Sequence, residues 1–186
     1  MTQQPLFIAG FEGILLAEAE LAVQRSRAAT TPGPAGGAAM AAILIATASF
    51  EALVGTWAAI YGKDYGLDDN TMRRWRSISI TEVVKEIASR RQPPVTVSDL
   101  LWYPRLCAIV KLRNYVAHYF PELRLPGTWP DELRGFVQYH TFPAAGGDED
   151  DWTSRILVPE VAQKVVEYSR LAQDGLMELA WKPPAA

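Results

Sequence analysis

With a single cysteine, Cys107, this 186-residue chain cannot close an intrachain disulfide. With only two histidines, His118 and His140, it lacks the Cys/His cluster that builds a structural zinc site. No metal centre is expected, and a reducing, cytoplasmic setting fits the thiol content. The start, Met1-Thr-Gln-Gln-Pro-Leu-Phe, lacks the basic residues that open a secretory signal. No Gly-rich phosphate loop or dinucleotide fingerprint is present, so no cofactor is expected. Strand alternation and hairpin signatures are missing too, which argues against a β-rich fold.

What remains is ordinary for a folded domain. Hydrophobic residues make up 49% and charged residues 21%, so the chain can bury a core and disorder is not expected. The length fits one domain, 1–186. Between Gly36 and Gly62 the only charge is Glu51. That length would span a bilayer, but Ala, Gly, Thr and Ser fill much of it and a mid-segment carboxylate is costly in lipid. A buried central helix is expected there, and no membrane partner.

Net charge is −3, unevenly spread. Residues 71–124 carry ten Lys/Arg against four Asp/Glu, while the flanking thirds are acidic. A local basic region attracts polyanions even on an acidic protein. The plain alternative is that the basic and acidic thirds pair within the fold.

Helical periodicity runs through most of the chain. A first helix is expected over 5–27, with Phe7, Phe11, Ile14 and Leu21 as its apolar stripe and Glu12, Glu18 and Glu20 as polar positions. The run Thr30-Thr-Pro-Gly-Pro-Ala-Gly-Gly37 reads as a breaker. A second helix over 38–61 would be about 36 Å long. A third helical region, 68–91, divides in two. Its second piece carries the capping-box spacing Ser79-Ile-Thr-Glu82 and the stripe Ile80, Val83, Val84, Ile87. Pro93-Pro94 stops it. A fourth helix runs to Tyr119 from Ser98 or from Pro104, a proline that either kinks it or sits in its first turn. Residues 122–157 form an irregular insert, with a short helix expected at 131–137 and an acidic run, Asp148-Glu-Asp-Asp151. A last helix spans 159–181, with Val161, Val165, Tyr168, Ala172 and Leu179 on one stripe, before a frayed tail at 182–186. The fold expected is all-α, a bundle of four to five main helices.

The chemistry concentrates in Lys111-Leu-Arg-Asn-Tyr-Val-Ala-His118-Tyr. Arg113 supplies a permanent cation with a planar fork of donors suited to phosphate. His118 can exchange a proton near neutral pH. On a helical wheel with Arg113 at zero, Asn114 falls at about 100° and His118 at about 140°. Ile109, Leu112 and Val116 lie opposite, between about 260° and 320°. The polar trio is therefore expected off the core-facing stripe, beside the small residues Ala117 and Val110.

The run Arg-Asn-Tyr-Val-Ala-His-Tyr resembles the signature of the HEPN superfamily, in which an Arg is followed after four to six residues by a His, often with a polar residue directly after the Arg. Arg113, Asn114 and His118 match. The stretch Ala48-Ser-Phe-Glu51-Ala-Leu-Val is also similar to helix-two text in that family. The resemblance covers about 5–121 plus the last helix, leaving out the insert. It implies a helical bundle with a long antiparallel pair. It also implies a metal-independent endoribonuclease working as a homodimer, in some members with an antitoxin or regulatory protein, in toxin–antitoxin or defence systems. RNA is then the expected partner, with Arg113, Asn114 and His118 catalytic. Other members are non-catalytic modules that bind a protein or nucleotide. Phe120 occupies the position where a toxin subclass carries a modified Tyr, so that modification is not implied here. A second Arg/His spacing, Arg134 to His140, sits between Pro130 and Pro143 and is read as coincidence.

Five further residues join the candidates. Glu51, a carboxylate in an otherwise uncharged helix, needs a partner and would hold Arg113 or His118; a solvent-facing helix edge is the alternative. Lys111, Arg73, Arg74 and Arg76 would contact RNA, with Trp75 stacking on a base; the plain reading is a solvated helix face. Cys107 and Tyr115 read as packing residues.

Overall fold

A computed structural model describes residues 10–63, 65–91, 93–118 and 156–180. Among the described residues there are six α-helices: α1 (Glu12–Ala28), α2 (Pro32–Tyr61), α3 (Asp69–Trp75), α4 (Ile80–Arg90), α5 (Tyr103–Ala117) and α6 (Pro159–Ala180). A 3-10 turn, Val97–Asp99, precedes α5. There is no strand among the described residues, and the fold is an all-α helical bundle. The expected short helix at 131–137, the pair Arg134 and His140, the acidic run at 148–151 and the tail at 182–186 lie outside the described residues. Ile156, at the end of the expected insert, is buried in the core.

The short link between α1 and α2 makes them an antiparallel pair, the most extensive helix contact in the fold. Two expectations change here. The Pro/Gly run does not separate two helices but opens the second. Pro32 and Pro34 sit in the first turn of α2, where backbone N–H groups have no intrahelical acceptor, so proline removes nothing. The helix thereby reaches 30 residues, about 45 Å rather than 36 Å. Ser26 of α1 donates to the Ala35 carbonyl (2.8 Å) and fastens this junction.

The apolar stripe of α1 is also not its core face. Phe11 (63% exposed), Ile14 (67%) and Leu21 (45%) face solvent. Leu16, Ala19, Ala22, Val23 and Ser26 are buried instead. Small side chains let two helix axes approach closely, and Ala39, Ala42 and Ala46 of α2 are buried in the same cluster. Close approach selects the small-residue face over the bulky one.

Helices α2 and α6 form the central pair, with α1 packed against both on one flank and α5 packed against both on the other. The buried face of α2 includes Ile43, Phe50, Leu53, Val54 and Trp57. By length and composition alone α2 could also cross a membrane. Asp68 caps α3 by accepting from the Thr71 N–H (2.7 Å), and Ser79 caps α4 by accepting from the Thr81 N–H (3.4 Å). The expected reciprocal bond from Glu82 gives way to an ion pair with Lys85 (2.7 Å). The Val83, Val84, Ile87 stripe is buried as the spacing predicts. Pro104 occupies the first turn of α5.

Candidate functional site

Helix α5 ends one residue before its histidine. His118 is the C-cap, its backbone N–H donating to the Asn114 carbonyl (3.0 Å), so the imidazole leaves from the helix end rather than from its side. Its side chain is exposed, as are those of Lys111, Asn114 and Ala117. These four residues make one open face.

Arg113 does not lie on that face. Leu106, Ile109, Val110 and Leu112 are all buried, and on the wheel they bracket Arg113 from both sides. Val110 belongs to the core and not to an open strip beside the polar residues. The expectation that Arg, Asn and His share a surface clear of the core therefore holds for Asn114 and His118 only. Arg113 emerges in line with the core stripe near the end of α5. Its guanidinium is carried across to α2, where it donates to Glu51 in an ion pair. The arginine side chain is 26% exposed and the glutamate 40%, so the pair sits at the mouth of the α2–α5 seam.

Glu51 thus partners Arg113, one of the two groups for which its sequence position qualified it. A half-buried guanidinium needs an anion or a set of acceptors beside it, and the uncharged text around Glu51 leaves that carboxylate as the anion α2 supplies. The pair uses one terminal nitrogen of Arg113. Among the described residues Arg113 makes no second side-chain hydrogen bond and the His118 ring makes none.

The basic residues of α3 are not brought to this seam. Arg74 pairs with Glu86 of α4 (2.5 Å), and the Trp75 indole N–H donates to the same carboxylate (2.8 Å). Trp75 is buried and stacks on Trp57 of α2 with ring centroids 6.2 Å apart, so it cannot also stack on a base. Arg73 and Arg76 are exposed. Burial pushes the Glu86 carboxyl up, but the bonds from Trp75 and Arg74 outweigh it and hold the group below its ordinary value. No local spacing in the sequence announces Glu86 as the acceptor that ties α3 to α4. Nor does any announce the bond from Gln173 of α6 to Ser49 (2.8 Å), which pins the part of α2 that carries Glu51.

Cys107 and Tyr115 are partly buried against the core. Among the described residues, no group of three or more His, Cys, Asp or Glu is arranged to hold a metal ion. Compared with known proteins, the chain matches no family model, no curated protein and no solved structure.

Proposed function

We propose that the chain is a metal-independent endoribonuclease of HEPN type whose reacting groups are His118 and Arg113. The observation that carries this reading is the combination at the end of α5. An exposed imidazole follows, five positions along the chain, a half-buried guanidinium that is anchored to Glu51 through one nitrogen. His118 takes the proton from a ribose 2′-hydroxyl, or returns one to the departing 5′-oxygen. The 2′-oxygen attacks phosphorus as the P–O5′ bond breaks, leaving a 2′,3′-cyclic phosphate and a 5′-hydroxyl. Arg113 stabilises the charge that builds on the phosphorane oxygens. Asn114, exposed one residue on, orients the phosphate or the imidazole. Glu51 is a positioning residue that keeps the guanidinium extended at the seam.

With one His118 per chain, a separate base and a separate acid require the His118 of a second subunit. A homodimer that joins two α5 faces supplies the second His118, and small Ala117 leaves room for the approach. Lys111 on the same face adds affinity for the RNA backbone, and Arg73 and Arg76 are further exposed cations available to it. In this reading the protein acts in the cytoplasm as a toxin or defence effector, with an antitoxin or regulatory protein as its natural counterpart.

A second reading is favoured by the same ion pair. If Glu51 fully satisfies Arg113, the arginine is structural and the chain is a non-catalytic helical module that binds a partner protein or nucleotide. Incubation with RNA in EDTA separates the two. Cleavage by wild type that is lost in His118→Ala supports the nuclease; no cleavage above buffer, or equal cleavage by both, supports the module.

A further inference from the structure

The outward face of α1 carries a pattern that the monomer leaves unused. Phe11, Ile14, Glu18, Leu21, Arg25 and Ala28 follow one another at alternating intervals of three and four, and Phe7 extends the same spacing upstream in the sequence. This is the heptad spacing of a helix that packs along another helix, with Ile14, Leu21 and Ala28 at one seam position and Phe11, Glu18 and Arg25 at the other, so that two successive turns of the seam carry opposite charges. Phe11, Ile14 and Leu21 are the large apolar side chains of α1 that face solvent. The core of this bundle is built instead on the opposite face of α1.

We propose that this face is a self-association seam on which a second copy of the chain lays its own α1, antiparallel to the first. The charges select this occupant. Glu18 lies on one side of Leu21 and Arg25 on the other, and within one chain they pair with each other (2.7 Å). When two copies meet antiparallel around Leu21, Glu18 of each lies toward Arg25 of the other, so the two charges become complementary between chains while the apolar residues close over the axis. A parallel arrangement sets Glu18 against Glu18 and Arg25 against Arg25, which like-charge repulsion disfavours. An isologous contact of this kind is closed and limits itself to two chains.

The seam is separate from the α5 face, because α1 and α5 flank the α2–α6 pair on different sides. The two contacts are therefore compatible, and loss of one leaves the other standing.

Sedimentation equilibrium over a range of protein concentrations tests the proposal. Leu21→Glu and Ile14→Glu, both at exposed positions, are expected to halve the associated mass of the wild-type protein while far-ultraviolet circular dichroism is unchanged. Glu18→Arg alone and Arg25→Glu alone are expected to weaken association, and the double exchange Glu18→Arg/Arg25→Glu to restore it. A wild-type protein that shows no association at any concentration overturns the proposal. So does an associated mass that Leu21→Glu leaves intact, or a double exchange that fails to recover what the single changes lose.

Discussion

Arg113 of α5 donates to Glu51 of α2, so the residue with the strongest chemical claim in the sequence is also a fastener between two helices of the bundle. That dual position makes its energetic and chemical roles separable by experiment. Both partners keep some solvent contact, so their coupling is modest. In a double-mutant cycle of Glu51→Ala, Arg113→Ala and the double variant, read by chemical denaturation, the coupling is expected at about 1 kcal/mol. Additive losses would show that the pair does not hold the seam.

The Glu86 carboxylate is held below its ordinary value of 4.5 and joins α3 to α4 through Arg74 and Trp75. A carboxylate depressed in the folded state adds stability that is fully present above the unfolded value. That stability is lost as pH falls through the lower folded value. The Trp57–Trp75 stack should therefore loosen on acidification below 4.5, seen as a change in tryptophan emission. Glu86→Gln should weaken the junction at neutral pH and flatten the acid-dependent part of the change.

Gly175 of α6 lies directly against the Trp102 indole, where a Cβ would overlap the ring. Trp102 is nearly buried and sits beside Phe50 and Tyr103, so it has little freedom to withdraw. Gly175→Ala should destabilise the fold by about 1–3 kcal/mol through overpacking, measured as a fall in thermal midpoint. Ala at Gly55, where nothing lies within contact of the added methyl, should raise it slightly by helix propensity.

The helices that declared themselves in the sequence were those with polar and apolar faces cleanly divided. In α4 Val83, Val84 and Ile87 are buried and Ile80 partly so, with Ser79 as the cap, and in α6 the stripe from Val161 to Leu179 is buried with Tyr168 partly open. Three misreadings have physical causes. Composition ranked Phe11, Ile14 and Leu21 above Ala19 and Ala22 as core residues, but how closely two helices approach depends on side-chain size, not hydrophobicity alone. Pro32 and Pro34 read as a break because they stand in a run with Gly33, Gly36 and Gly37, whereas in a first turn proline costs no hydrogen bond. Arg113 reads as part of a free face by its charge, yet it stands between Ile109 and Leu106; the aliphatic stem can line a core while the head reaches an anion on another helix. The Arg113–Glu51 contact itself was half legible, since a single carboxylate in an uncharged helix needs a partner, but the choice between Arg113 and His118 required the packing of α5 on α2.

The proposed nuclease requires Arg113 and His118 to act together on a sugar–phosphate backbone. The most direct measurement is end-group analysis of RNA treated in metal-free buffer with wild type and with Arg113→Ala/His118→Ala. Wild type is expected to leave 2′,3′-cyclic phosphate and 5′-hydroxyl ends, and the double variant to leave none. Ends bearing a 5′-phosphate, or cyclic phosphate ends formed equally fast by the double variant, would contradict the proposed nuclease.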